Sequence, residues 1–299
     1  MRPSHSPFKE YVRQLHHKKT VRAITTATIV VGLPVIGAYS CLLATRRLKL
    51  ERLKITIANE HADLAGLKII QLSDLHYGPT NRNNRYFNRA IDIVNALNPD
   101  LIVLTGDYYQ WDPDYIHQLP AMLSRMRAPL GIFGCFGNHD YGSCYPGKIG
   151  NDPIDYRIVK HTFDKNNITI LTNETIRLQY RGQGFNLTGL HDLWSGMFDP
   201  IEAFEGVNTH FPTIVLSHNP DTAGLVERGY DLMLSGHSHG GQVSWPLIGS
   251  LTTPMIKKHF RRGLHRISER KQIYVNRGLG HTFKMRFNSP PEISLIEIG

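Results

Sequence analysis

Leu67-Lys68-Ile69-Ile70-Gln71-Leu72-Ser73-Asp74-Leu75-His76 is an aliphatic run that stops at a carboxylate and an imidazole. Runs of this length, rich in Ile and Leu and bounded by polar residues, read as buried strands. In a strand, residues i and i+2 face the same way, so Asp74 and His76 can converge on one ion. The design recurs along the chain. Residues 101–105 run into Gly106-Asp107, residues 131–136 into Gly137-Asn138-His139-Asp140, residues 212–217 into His218-Asn219, and residues 230–235 into Gly236-His237-Ser238-His239. Polar groups at the carboxyl ends of buried strands are where open α/β sheets place their sites.

These clusters supply carboxylate, amide and imidazole, and no cysteine. Asp107 is the lone carboxylate of its cluster and the natural bridge between two positive charges. His237 and His239 repeat the i, i+2 spacing, but the Gly-rich tail behind them predicts a loop that splits the pair between two ions. Hard oxygens mixed with imidazole suit manganese, iron or zinc, whereas an all-oxygen set would suit magnesium or calcium. Two such ions roughly 3.5–4 Å apart lower the pKa of a shared water and clamp a phosphoryl group. Taken singly, Asp107 would read as a helix cap and His218 as a satisfied core residue. Their recurrence in order, each behind a strand, favours a site.

The ordered blocks Asp-x-His, Gly-Asp, Gly-Asn-His-Asp, a lone His and Gly-His-x-His resemble the calcineurin-like metallophosphoesterases, over roughly residues 60–299. The resemblance implies a four-layer αββα sandwich, two sheets face to face with helices outside. It implies that Asp74, His76, Asp107 and His239 bind one divalent ion and Asp107, Asn138, His218 and His237 a second, manganese first, with iron or zinc as alternatives. It gives catalytic roles to Asp107 as the bridge, to His139 beside the leaving group, and to Asp140 in orienting His139. Residues 86–98 have helical apolar spacing and end at Asn98-Pro99, and 114–126 are expected to form a second helix. Strands alternating with helices, without a linker-like stretch, argue for one α/β catalytic domain over 60–299.

The N-terminus is of another kind. From Ala23 to Ala44 there is no charge for 22 residues, long enough to cross a hydrocarbon core of roughly 30 Å. The expected order is a basic tail over 1–22, a transmembrane anchor over 23–44 and a basic juxtamembrane segment over 45–59. Residues 1–54 hold 11 Lys/Arg and two Glu, which equals the whole chain's net +9. The catalytic domain is therefore neutral overall, and a nucleic-acid groove, which needs the surplus on the domain itself, is not expected. Basic residues flank the apolar stretch on both sides, so the positive-inside rule is nearly tied. An uncleaved anchor with a cytoplasmic domain is the preferred reading, and export after cleavage near Ala38-Tyr39-Ser40 the alternative. Cys41, Cys135 and Cys144 form no even framework and read as unpaired thiols.

Residues 245–266 pair an apolar front, Trp245 and Met255 among it, with a basic back that includes Lys257, Arg261 and Arg262. That pattern fits an anionic bilayer surface or an acidic head group, and equally an ordinary surface hairpin. Gly240-Gly241-Gln242, Arg277-Gly278-Leu279-Gly280 and Pro291-Glu292-Ile293 resemble a branch of membrane-anchored or exported bacterial phosphoesterases, some of which hydrolyse UDP-2,3-diacylglucosamine to lipid X and UMP in lipid A synthesis. A nucleotide-lipid or other phosphorylated small molecule at a membrane is thus the expected substrate, with no protein partner implied. Arg277, Arg286 and the basic run 257–262 are candidate phosphate contacts. A broad phosphodiesterase or phosphatase acting on non-lipid substrates is the alternative function, and a non-catalytic scaffold the third reading.

Overall fold

Alternation along the strands sorts the apolar residues into layers. In Lys68–Leu72, Ile69 joins Leu101, Val103 and Cys135 on one face, while Ile70 and Leu72 join Ile102 and Leu104 on the other. The computed structural model describes residues 33–57, 63–79, 83–110, 115–145, 148–149, 155–208, 210–245, 249–250, 255 and 257–299.

The first sheet has six strands in the order Lys49–Ile55, Glu292–Ile298, Lys68–Leu72, Leu101–Thr105, Ile132–Cys135, Ile168–Ile170. All neighbours are parallel except Glu292–Ile298 against Lys68–Leu72. The second sheet runs Gly263–Arg266, Gln272–Val275, Leu232–Ser235, Thr213–Leu216, Gln183–Gly189, Glu174–Tyr180, with antiparallel pairs only at its two edges. Both sheets are therefore mixed, with parallel centres. Ile69, Val103, Phe185, Leu216 and Leu234 pack between them. Gln71 crosses this apolar layer, donating to Thr105 Oγ1 at 3.0 Å and to Ser235 O at 2.9 Å.

Helix Asn84–Ala96 covers the first sheet's other face with Phe87, Ala90, Ile91 and Val94. Asn83 caps it, its side chain accepting the Tyr86 N–H, and the chain leaves it at Leu97, as Asn98-Pro99 requires. The second helix is shorter than the expected 114–126. It spans Gln118–Leu123, and Asp114 lies outside the described residues. Short turns rather than long helices cover the second sheet, where Phe204, Tyr230 and Phe260 pack on Val215, Met233 and Ile273. The result is four layers with helices on one side and short helical turns on the other.

At the N-terminus, helix Leu33–Leu42 has ten residues, a length of about 15 Å and half of what the hydrocarbon core asks. Among the described residues no helix is long and apolar enough to cross a membrane. The expected tail 1–22 and residues 23–32 of the expected anchor lie outside the described residues. Val35 and Leu42 on this helix are 61% and 58% exposed, and Leu43 just after it 63%. The Arg286 N–H donates to Ser40 O at 3.0 Å and ties the helix to the domain.

The basic segment read as juxtamembrane contains the edge strand Lys49–Ile55, so the first sheet starts at Lys49, ahead of residue 60. Its charges disguise it in sequence. Lys49 and Lys54 are exposed, as suits a strand with one unpaired edge. Cys135 is a buried free thiol and Cys41 a half-buried one, while the Cys144 side chain lies outside the description.

Candidate metal centre

The strand ends deliver their clusters to one place at the carboxyl edges of the two sheets. Ligand atoms of Asp74, His76, Asp107 and His239 lie within 4.8 Å of one another, and so do those of Asp107, His218 and His237. Asp107 is common to both groups, with Oδ2 3.5 Å from His76 Nε2 and 3.2 Å from His218 Nε2. His239 Nε2 is 3.3 Å from Asp74 Oδ1 and 3.0 Å from His76 Nε2. His237 Nδ1 is 3.0 Å from Asn138 Oδ1 and 3.2 Å from His218 Nε2. The two histidines of Gly-His-Ser-His thus turn to different groups, one by Nδ1 and the other by Nε2. Imidazole nitrogens facing each other at these distances direct lone pairs to a common point, an arrangement that a shared cation relieves. The buried Asp/His cluster is suited to divalent metals.

The backbone at the cluster is held in an unusual state. Asp74, His76, Asp107, His237 and His239 have φ of 50°, 44°, 55°, 67° and 50°. For non-glycine residues this left-handed region costs about 1–2 kcal/mol each, and such strain gathers at functional sites. Two glycines permit the close approach. A Cβ on Gly137 would stand 2.3 Å from Asp107 Oδ1, and one on Gly236 would stand 1.9 Å from Ser73 Oγ and 2.3 Å from Asp74 Oδ2.

Second contacts aim the side chains. His218 Nδ1 lies 2.7 Å from Thr105 O, which fixes the proton there and leaves Nε2 facing Asp107. The His237 backbone N–H donates to Asp74, and the His139 N–H donates to Asp107 Oδ1 at 2.9 Å. The His139 ring stands edge-on to His76 at 4.8 Å between centroids, with Nε2 3.9 Å from Asp107 Oδ2. Asp140 accepts N–H bonds from Gly137 and Asp107 on Oδ2 and from Tyr108 on Oδ1, at 2.8–2.9 Å. Its hold on His139 runs through the main chain of the turn, and the same bonds pin the Asp107 loop.

Electrostatics agree with that geometry. Burial would raise Asp107, but the imidazoles of His218, His139 and His76 hold it well below the usual carboxylate range. Burial also drives His76 and His239 well below the ordinary histidine value, which keeps their lone pairs available. His218 goes the other way. Burial opposes its charge, yet Asp107 beside it raises the imidazole well above its usual value. Asp74 is pushed up to about 6, chiefly by burial. Burial and the Asp107 charge push Asp140 up to about 8, against the pull of its backbone N–H partners.

A cavity of about 90 Å³ opens onto the cluster, lined by His139, Trp194, Ser238, Gln242, Thr282 and Phe283 among others. This is well below the roughly 300–1,000 Å³ that encloses a whole organic ligand, so the pocket admits a reacting group and the rest of a substrate lies beyond its mouth. Trp194 packs edge-on against His237 at 4.6 Å, and Phe283 at the lip is 44% exposed. Neither aromatic carries a motif that sequence reasoning could find. Gln242 was within reach as part of Gly-Gly-Gln. Arg277 and Arg286 are committed to partners inside the protein, Arg286 with its Nη2 3.4 Å from His239 Nδ1. Arg277 pairs with Glu51 and Glu292, and the wholly buried Arg286 donates to the carbonyls of Arg277, Gly278, Gly280 and Ser289.

The chain belongs to the calcineurin-like phosphoesterase family, whose model matches residues 67–241, and it is a metal-dependent phosphoester hydrolase by that membership. Three of its relatives mark the range of the match. The UDP-2,3-diacylglucosamine pyrophosphatase LpxG of Chlamydia muridarum is 32% identical over 92% of this chain and 97% of its own. The phosphodiesterase YaeI of Escherichia coli is 34% identical over 78% of this chain and 83% of its own. A transmembrane protein with metallophosphoesterase domain from Danio rerio is 30% identical over 88% of this chain and 60% of its own.

Proposed function

We propose that this protein is a membrane-associated pyrophosphate hydrolase that cleaves UDP-2,3-diacylglucosamine into lipid X and UMP, using two divalent ions, with manganese as first choice. The extent of the pyrophosphatase match carries the reading. It leaves unmatched only about 24 of 299 residues, fewer than the basic tail and apolar stretch together contain, so it takes in part of the region before the catalytic domain. The YaeI match covers less of the chain and supports the second reading, a broader phosphodiesterase or phosphatase.

Asp74, His76, Asp107 and His239 would hold one ion, and Asp107, Asn138, His218 and His237 the other. When bound, the ions supply a polarised phosphorus and a water of lowered pKa. The chain's own residues do the rest. Asp107 joins the two halves, and Thr105 O keeps the His218 proton away from Nε2. His139, at the edge of the pocket, would hydrogen-bond the oxygen of the departing group. The narrow cavity holds the phosphoryl group while Trp194 and Phe283 border what protrudes. Full-length protein in neutral detergent with manganese is expected to release UMP from UDP-2,3-diacylglucosamine. Turnover of aryl phosphodiesters without UMP release would transfer the assignment to the second reading.

A further inference from the structure

Behind the loops that carry the metal centre lies a larger space. A groove of about 840 Å³ runs between the end of helix Leu33–Leu42, the start of strand Lys49–Ile55 and the loop Phe287–Pro290. None of the residues lining it lines the 90 Å³ catalytic cavity, so the two are separate spaces. Four cations border the groove: Arg47, Lys49, Arg262 and Arg277. Their carboxylate partners are Glu51, shared by Lys49 and Arg277, and Glu292. Four positive charges against two negative ones leave a surplus. Arg47 and Arg262 make no salt bridge to an acid among the described residues. Arg47 Nη1 reaches Tyr39 Oη at 3.4 Å, and Arg262 Nη1 donates to Asn288 O at 2.8 Å. Burial and the like charges of Arg277 and Arg261 depress the Arg262 guanidinium, a sign of crowding between cations.

The rest of the wall combines the apolar and aromatic Tyr39, Ala44, Leu48, Leu50 and Phe287 with the polar Asn288 and Ser289. Val35 and Leu42 stand at helical spacing from the groove residue Tyr39, and together with Leu43, next to Ala44, they are exposed. A basic cleft joined to an exposed apolar ridge matches a molecule with a phosphate at one end and hydrocarbon at the other. We infer that this groove binds the head group of an anionic, phosphate-bearing lipid, with Arg47 and Arg262 on the phosphate and the acyl chains along Val35, Leu42 and Leu43. The site is additional to the catalytic pocket. Only the direction of the acyl chains rests on the membrane reading given above.

Calorimetric titration of the full chain in neutral detergent, without substrate, tests the inference independently of any hydrolysis. Dioctanoyl phosphatidylglycerol is expected to bind at one site and at least about tenfold more tightly than dioctanoyl phosphatidylcholine or sn-glycerol 3-phosphate, and more weakly as salt rises from about 0.05 M to about 0.5 M. Joint reversal, Arg47→Glu with Arg262→Glu, should weaken that binding about tenfold or more, while Arg→Lys at both positions should stay within about threefold. Equal binding of the two lipids, or salt-independent binding, would overturn the inference without any variant. Glycerol phosphate binding as tightly as phosphatidylglycerol would make this a free-phosphate site and remove the lipid. A folded double reversal that binds phosphatidylglycerol normally would overturn it as well.

Discussion

The metal centre and the basic groove share neighbouring loops, with Gly278 packed on Asp74 while Arg277 lines the groove, yet they are built in opposite ways. In the centre, imidazoles and carboxylates are buried, aimed by backbone carbonyls and amides, and set on left-handed residues just past parallel strands. In the groove, Arg47, Lys49 and Arg262 stand on segment ends and loops, open to water, and only Arg277 is buried. Fixing atoms to a few tenths of an ångström requires a strained, dry frame, whereas meeting a mobile charged group requires reach.

Changes on the rigid side should therefore cost most. Asp107→Ala removes the carboxylate common to both halves, so metal content by elemental analysis should fall for both ions and turnover should drop to background. His139→Ala should slow turnover by about 10²–10⁴-fold, the range for a positioned acid–base group, with metal content unchanged. Loss of metal in that variant would remove His139 from its proposed role. A gentler lever is pH. The metal-free centre holds a proton on His218 because Asp107 raises its pKa, and an ion must displace that proton. Apparent metal affinity should thus fall as pH falls, by about tenfold per unit for the His218 proton and more steeply below about pH 6, where Asp74 takes up a second, while a flat profile between neutral and mildly acid pH would contradict it. The smallest effect is expected at the lip. Phe283→Ala removes an aromatic contact of roughly 0.5–1.5 kcal/mol, which should raise KM about two- to tenfold and leave kcat in place.

Much of the first region was legible in the sequence because its chemistry is local. Asp74 to His76, Asn138 to Asp140 and His237 to His239 each sit within a few residues of a run that declares itself a buried strand. What stayed hidden depends on distance. The contact of Trp194 with His237 comes from a loop that no motif flags. The three amides held by Asp140 belong to loops that meet only after folding. The strand Lys49–Ile55 went unread because its solvent-facing charges merge with the basic flank of the apolar stretch. Arg277 and Arg286, which look like phosphate contacts in sequence, serve internal pairing because Glu51 and Glu292 arrive beside the first and four backbone carbonyls surround the second.

The position of strand Glu292–Ile298, inserted between Lys49–Ile55 and Lys68–Leu72, bears on how the protein is made. Ribosomes will have released both flanking strands long before this one exists, and the Glu51–Arg277 pair beside it spans 226 residues. One seam of the first sheet must then wait, unzipped, until synthesis has passed residue 298, so the domain closes as a late, long-range event rather than growing strand by strand.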